Sequence, residues 1–303
     1  MASLLLAAIT AAMAAAALLY FCWKVVSAFW ISPLRAHSQL RRNGFAGPTP
    51  TFPLGNIQEM RKLVLTSQTT SSSDIISHDI HSAVFPYFAQ WHNSHGKVFV
   101  YWLGTEPFLY IADPEFLKAM SAGIMGKSWG KPRVFKQDRE PMFGNGLVMV
   151  EGEEWVRHRH VITPAFTAPN LKPAPNVQRQ AKEDIRVGDR TIPKGTNMWI
   201  DVVAMHHDPK LWGDDAYEFK PERFEADPLY GGCKHKMGFM PFGFGGRMCV
   251  GRNLTMMEYQ IVLSMILTRF SFSLSPSYVH SPTIVLSLRP THGIPLVLRP
   301  LQS

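Results

Sequence analysis

A run of 20 residues without a charge, residues 4–23 (LLLAAITAAMAAAALLYFCW), narrows the options of this chain more than any other feature. At about 1.5 Å per residue, a helix of that length spans roughly 30 Å, the thickness of a bilayer's hydrocarbon core. No basic residue precedes the run, and Lys24, Arg35, Arg41 and Arg42 follow it, so the positive-inside rule places the remainder on the cytoplasmic side. Tyr20 and Trp23 fall where an interfacial aromatic belt belongs. A cleavable secretory signal is the competing reading, since the Ala tract offers small-residue cleavage positions. Against it, the run is longer than a usual signal core and no basic residue stands among the first three. A retained single-span anchor is the expectation.

The remainder has to fold around its own core. Hydrophobic residues form 46% of the chain, enough apolar surface to offset the entropy of ordering, which excludes disorder. Three cysteines exclude a disulfide scaffold: Cys22 lies in the apolar run and only Cys233 and Cys249 remain. The body thus reads as thiol-reduced and facing a cytosol-like compartment. A net charge of +8 raises nucleic acid and anionic membrane as partners. The basic cluster Arg157, His158, Arg159 and His160 has only Trp155 as a nearby aromatic, whereas a nucleic-acid face needs broader charge with interleaved aromatics. The expectation is no nucleic acid, and a basic surface that meets membrane lipid or an acidic electron-donating partner.

Local patterns order the elements. Residues 44–55, rich in Pro and Gly, read as a stiff hinge after a basic stretch. Residues 66–73 read as a surface loop, and 81–92 as a helix with Val84, Phe85, Phe88 and Trp91 on one face. Residues 97–103 and 107–111 read as a hairpin, and Asp113-Pro114 as the N-cap and first residue of a helix through Met120. Residues 127–149 read as mostly irregular, 151–166 as a helix, 169–175 as extended, and 184–200 as strands with turns. After an aperiodic stretch over 210–248, residues 252–267 predict a buried helix, and short strands follow at 283–288 and 295–298. The body is mixed α and β.

The chemistry concentrates in Phe242-Gly-Phe-Gly-Gly-Arg-Met-Cys-Val-Gly251. This is a glycine-loosened loop presenting one thiol at a helix N-terminus, where N–H groups and the helix dipole stabilise a thiolate. Gly245 and Gly251 let a large flat ligand approach the backbone, Arg247 supplies a cation for its anionic edge, and Phe242 walls the sulfur. A lone cysteine without partners at metal-ligand spacing speaks against structural zinc. A single thiolate suits an iron already held by a macrocycle. An inert Cys in a structural loop is the bland alternative. Phe, Gly, Arg, Cys and Gly in register are far more specific than a Gly-rich loop alone. The histidine pairs 78/81, 92/95, 158/160 and 206/207 lack a ligand set and read as surface or capping groups, and Cys233-Lys-His235 as a plain loop.

The loop fits F-x-x-G-x-R-x-C-x-G, and by it the chain resembles the cytochrome P-450 family of haem-thiolate monooxygenases. It is most similar to the plant microsomal branch, through SHDIHSAVFPYFAQWHNSHGKVFVYWLG and ITPAF. The resemblance spans essentially the whole chain. It implies that Cys249 is the axial ligand of haem iron, and that Trp155, Arg159, Arg179 and Arg247 hold the haem propionates. It also implies that Arg223, in Pro221-Glu222-Arg223-Phe224, completes a triad with a Glu and an Arg of an upstream helix.

The implied architecture is a mixed α/β, mainly helical cytochrome P-450-like fold with one N-terminal transmembrane helix. Its parts would be an anchor (1–23), a basic and Pro/Gly hinge (24–57), an N-terminal part of the haem-thiolate domain (58–172) and a C-terminal part with the Cys loop (173–303). Residues 128–143 and 173–178 and the turn near His292 would line the pocket. The implied activity inserts one oxygen atom from dioxygen into an apolar fatty acid, terpenoid or hormone. Electrons would come from NADPH through a flavin-containing reductase, at the cytosolic face of the endoplasmic reticulum membrane.

Two family elements have no counterpart. Glu154–Arg157 and Glu183–Arg186 fit a bare E-x-x-R pattern, but in the wrong places, which leaves Arg223 without its partners. The distal A/G-G-x-D/E-T segment is missing too: Ala122-Gly123-Ile124 continues into Met125 and Gly126, without the acid–alcohol pair that delivers protons. The fold is therefore expected to be incomplete, lacking its distal central helices through an in-frame deletion joined near residues 171–173. The origin could be a splice product, a pseudogene or a gene-model error. Weak or absent haem binding, little turnover and uncovered apolar faces follow. The alternative function is a catalytically inactive, membrane-tethered remnant.

Overall fold

The computed structural model describes residues 2–70, 78–122, 129–162, 176–285 and 287–301. It opens with a helical rod: α1 (Ala2–Val26), a π-helical turn (Ser27–Ile31) and α2 (Ser32–Arg42). The wide turn sits directly ahead of Pro33, whose ring cannot continue the hydrogen-bond ladder. The rod contains one helix long and apolar enough to cross a membrane, with mean hydropathy 1.8 and nothing in that window buried.

The Pro/Gly stretch is laid against the body. Phe45 is buried, the Val100 N–H donates to the Ala46 carbonyl at 2.8 Å, and Asn56 accepts from the Trp102 N–H at 2.9 Å. A Cβ at Gly47 would collide with the Val100 carbonyl, so only glycine permits this approach. α3 (Ile57–Thr70) replaces the loop expected from residue 66. Its Thr66 and Ser67 hydroxyls donate back to the Lys62 and Val64 carbonyls, which lets polar residues end a helix. Residues 71–73 of that expected loop lie outside the described residues.

α4 (Ile80–Val84) is capped by Asp79, whose Oδ1 accepts from the Ser82 N–H at 3.0 Å. α5 (Pro86–His95) follows after a break at Phe85, imposed by Pro86. As expected, Phe85, Phe88 and Trp91 are buried. The hairpin pairs β1 (Val98–Leu103) with β2 (Glu106–Ile111) antiparallel, and aromatic partners stack across it: Phe99 on Tyr110 at 4.4 Å and Tyr101 on Phe108 at 5.5 Å. Residues 99–102 are all buried, because rings of α5 pack on Phe99 and Tyr101 while Phe52 of the hinge packs on Trp102. Asp113 caps α6 (Pro114–Ala122), accepting from the Glu115 and Phe116 N–H groups.

β3 (Trp129–Gly130) and α7 (Arg133–Phe143) occupy the region expected to be irregular. Period reading missed α7 because none of its residues is buried, so it carries no apolar stripe. α8 (Gly152–Ile162), β4 (Asn176–Ala181), β5 (Ile185–Val187), β6 (Arg190–Ile192) and β7 (Asn197–Asp201) follow. The main sheet has the order β1-β2-β7-β4-β3, with β2 and β7 parallel and the other neighbours antiparallel. α9 (Val202–His206), α10 (Pro209–Trp212) and α11 (Arg223–Ala226) are short.

α12 (Arg252–Leu267) forms as expected, but its expected burial is corrected. Thr255 is its one buried residue, while Met257, Ile261 and Leu267 are more than half exposed. The ladder of β8 (Phe270–Leu274) with β11 (Leu296–Pro300) likewise exposes Phe272, Leu274 and Leu298. β9 (Pro282–Val285) and β10 (Ser287–Pro290) form a separate hairpin. Apolar composition reports that an element needs a partner, not that one is present.

Two histidines depart from the surface reading. His206 is half-buried, its Nε2 accepts the Met240 N–H, and burial pushes it down to about 4. His81 Nε2 lies 3.0 Å from Asp201 Oδ2, and Asp201 is fully buried. Burial alone would lower the His81 imidazole, but the hydrogen bond and charge of Asp201, with Asp79 behind it, raise it above 6.5. A raised folded value means that its contribution to stability is complete below pH about 6.5 and is lost as pH climbs through the folded value. The urea-midpoint difference between wild type and His81→Gln should therefore be larger at pH 6 than at pH 8.5. An equal difference at both would show that Asp201 does not favour the imidazolium.

Candidate cofactor site at the Cys249 loop

The loop is shaped by glycines with left-handed backbone, Gly243 (φ 74°) and Gly245 (φ 62°), which only glycine adopts freely. A 3-10 turn over Gly245–Arg247 follows, and the Cys249 N–H donates to the Phe242 carbonyl at 2.8 Å. Phe242 and Cys249 are both half-buried and sit at the two ends of that closed loop. Gly251, directly before α12, has an ordinary φ of −85°, so backbone geometry does not require glycine there.

Two arginines fasten the loop to α8 and to the residues just ahead of it. Arg247 donates to the Val150 carbonyl at 3.1 Å and lies over the Trp155 ring, 4.2 Å from its centroid. Arg159 reaches from α8 to the Met248 carbonyl at 2.8 Å, the residue beside Cys249. Arg179, on β4, donates one bond to the Gln178 carbonyl at 2.8 Å. The structure thus gathers Trp155, Arg159, Arg179, Arg247 and Cys249 from α8, β4 and the loop. A guanidinium has five donors, and the bonds named here use one each on Arg179 and Arg247.

Like charges are crowded here. Burial and then the Arg247 charge pull Arg179 down to about 10. Burial, with Arg159 nearby, does the same to Arg247. Among the described residues no carboxylate forms an ion pair with Arg179 or Arg247.

Lys131 is a member of this group that sequence reasoning missed. Burial, then Arg179 and Arg247, lower its amine to about 7. No motif marks it: β3 meets β4 as Trp129↔Ala181 and Gly130↔Gln180, and Lys131 directly follows the last of these pairs. The nearby carboxylate, Glu151, is engaged elsewhere, by Lys136 and Lys182 at 2.9 Å each and by the Lys131 backbone N–H at 2.7 Å. Burial would raise Glu151, but those bonds outweigh it and hold the carboxyl below its ordinary value.

Other sites are structural. Arg223 lacks the triad of the resemblance and closes instead on Asp215 at 2.6 Å and on the Trp212 and Asp215 carbonyls. Hydrogen bonds from Lys220 and Arg223 hold the Asp215 carboxyl down at about 2. The Cys233 thiol donates to the His235 carbonyl and is pushed up by burial. Of the expected pocket lining, residues 128 and 173–175 lie outside the described residues, and His292 is exposed.

The structure thus sets the thiol loop beside Arg159, Arg247 and the Trp155 ring, with the Arg179 charge felt at Arg247. The family model Cytochrome P450 matches residues 75–174 and 170–294, and the chain belongs to that family. The two matches meet at residues 170–174. Cytochrome P450 734A5 of Oryza sativa subsp. japonica is 48% identical over 131 residues, covering 43% of this chain and 24% of that protein. Cytochrome P450 714A2 of Arabidopsis thaliana is 48% identical over 147 residues, covering 44% of this chain and 28% of it. The matches thus span about a quarter of the length of these relatives. A cytokinin hydroxylase of Arabidopsis thaliana is 22% identical over 507 positions, covering 93% of this chain and 96% of that protein. This chain has 303 residues, so at least 204 of those positions have no counterpart in it.

Proposed function

We propose that Cys249 and the cations around it hold haem, in a single-pass endoplasmic reticulum protein of monooxygenase type whose body faces the cytosol. Gathering of Trp155, Arg159, Arg179 and Arg247 at the Cys249 loop is the observation that carries this reading. Two carboxylates on one edge of a flat ligand would neutralise charges that repel one another in the protein alone. Cys249 would supply the axial thiolate, and Phe242 would keep water from the sulfur. The haem, when bound, supplies the redox chemistry that inserts one atom of dioxygen into an apolar substrate, with NADPH electrons delivered by a flavin reductase. The substrate class is a fatty acid, terpenoid or hormone. Relatives named as a cytokinin hydroxylase and an 11-oxo-beta-amyrin 30-oxidase support oxidation of a small molecule.

A second reading is favoured by the exposure of α12 and of the β8–β11 ladder. In it the distal central helices are missing across a join at 172–173, and the chain is a tethered remnant that does not turn over. The carbon-monoxide difference spectrum of the reduced, detergent-solubilised chain supplied with haem tests the first reading. A red-shifted thiolate band is expected, and soluble protein without a band would overturn it. NADPH-dependent product formation with reductase is the second test, since the remnant, expected to bind haem weakly or not at all, would yield no product.

A further inference from the structure

We propose that α12 is the interface through which two copies of this chain pair in the membrane, as an antiparallel helix dimer about a two-fold axis. The inference needs no haem and rests on the reading above only for the anchor, which orients the two copies. Thr255 is the one buried residue of α12, and the β8–β11 ladder that follows leaves Phe272 and Leu298 about half exposed. The two form one continuous surface, since the Leu301 N–H donates to the Arg269 carbonyl at 2.8 Å where α12 passes into β8. On the order of 1,000 Å² of apolar area is uncovered there, against a few hundred Å² on a typical monomer and about 800 Å² a side in a standard interface.

The placing of charges points to a second copy as the occupant. Glu258, Ile261, Val262, Met265 and Arg269 recur at i, i+3, i+4, i+7 and i+11, which puts them on one side of the helical path. The stripe is acidic at its start, apolar in its middle and basic at its end, and its three apolar residues are half exposed. Among the described residues neither Glu258 nor Arg269 forms an ion pair. They stand roughly 16 Å apart along the helix, too far to meet within one chain. Glu258 is also the one Asp or Glu after Asp227. Laid antiparallel on itself, the stripe sets Glu258 of each copy against Arg269 of the other and packs the apolar residues around the axis. A two-fold axis along the bilayer normal keeps both anchors in one membrane, where copies meet at high effective concentration. The bilayer is the poorer cover. At 16 residues α12 is about 24 Å long, short of a hydrocarbon core of about 30 Å, and Glu258 would be costly to bury there.

The full chain, carrying one fluorophore at its N-terminus, is reconstituted into phosphatidylcholine vesicles over a range of surface densities, and bleaching steps are counted per vesicle. Wild type should pass from one step to two, beyond chance co-occupancy, and stop at two. Glu258→Arg and Arg269→Glu should each raise the density at half-pairing on the order of tenfold, because like charges then face one another twice. The double variant Glu258→Arg/Arg269→Glu should return to the wild-type curve, which damage to folding would not produce. Single steps at every density in wild type would overturn the proposal and leave lipid as the cover of α12. Counts that climb past two would also overturn it, as the mark of open-ended aggregation, as would a double variant no better than its parents. Vesicles that do not carry the chain on flotation would overturn the anchor reading and this one with it, a failure read separately from the step counts.

Discussion

Cys249→Ala is expected to remove the red-shifted carbon-monoxide band completely while leaving the amount of folded protein unchanged. The loss is complete because no other thiol can take over. Cys22 lies in α1, far from the loop in sequence, and the Cys233 thiol is committed to the His235 carbonyl and raised by burial. Folding is spared because the loop is held by its backbone and its arginines. The Cys249 N–H reaches Phe242, Arg247 reaches Val150 and Arg159 reaches Met248, and none of these bonds uses the sulfur. A variant that keeps the band would remove Cys249 as the iron ligand.

Deleting residues 1–23 is expected to move the protein almost entirely out of the membrane fraction. A helix of about 20 apolar residues inserts in a manner that is effectively irreversible, whereas the remaining basic surface gives salt-sensitive association only. The full chain should stay membrane-bound through high salt and alkaline carbonate, and the deletion variant should not. Exposed Met257, Ile261 and Leu267 on α12 make self-association of the variant a competing cause of sedimentation. Flotation on a density gradient separates the two, since aggregates sink and membranes rise. Continued co-flotation of the deletion variant would overturn the single-anchor reading and direct attention to α12 and the β8–β11 ladder.

Local rules were enough for the elements whose determinants are local. The β1–β2 hairpin and the Asp113 cap of α6 follow from alternation, a short turn and one carboxylate at a helix start. The same rules failed at α7, which has no buried stripe, and at residues 66–70, where side-chain bonds to carbonyls carry a helix through Ser and Thr. Burial of His81 was hidden because its partner, Asp201, lies 120 positions away.

By itself the sequence determined the apolar N-terminal run, the thiol loop with its arginine and the family, because each is a contiguous pattern whose chemistry travels with it. Only the tertiary structure decided which charges meet. Arg247 reaches Val150 across 97 positions and Arg159 reaches Met248 across 89. It also decided that α12 stands exposed. Coulomb energy and burial depend on distances between residues remote in sequence, and no local pattern encodes whether the partner of an apolar face is there to cover it.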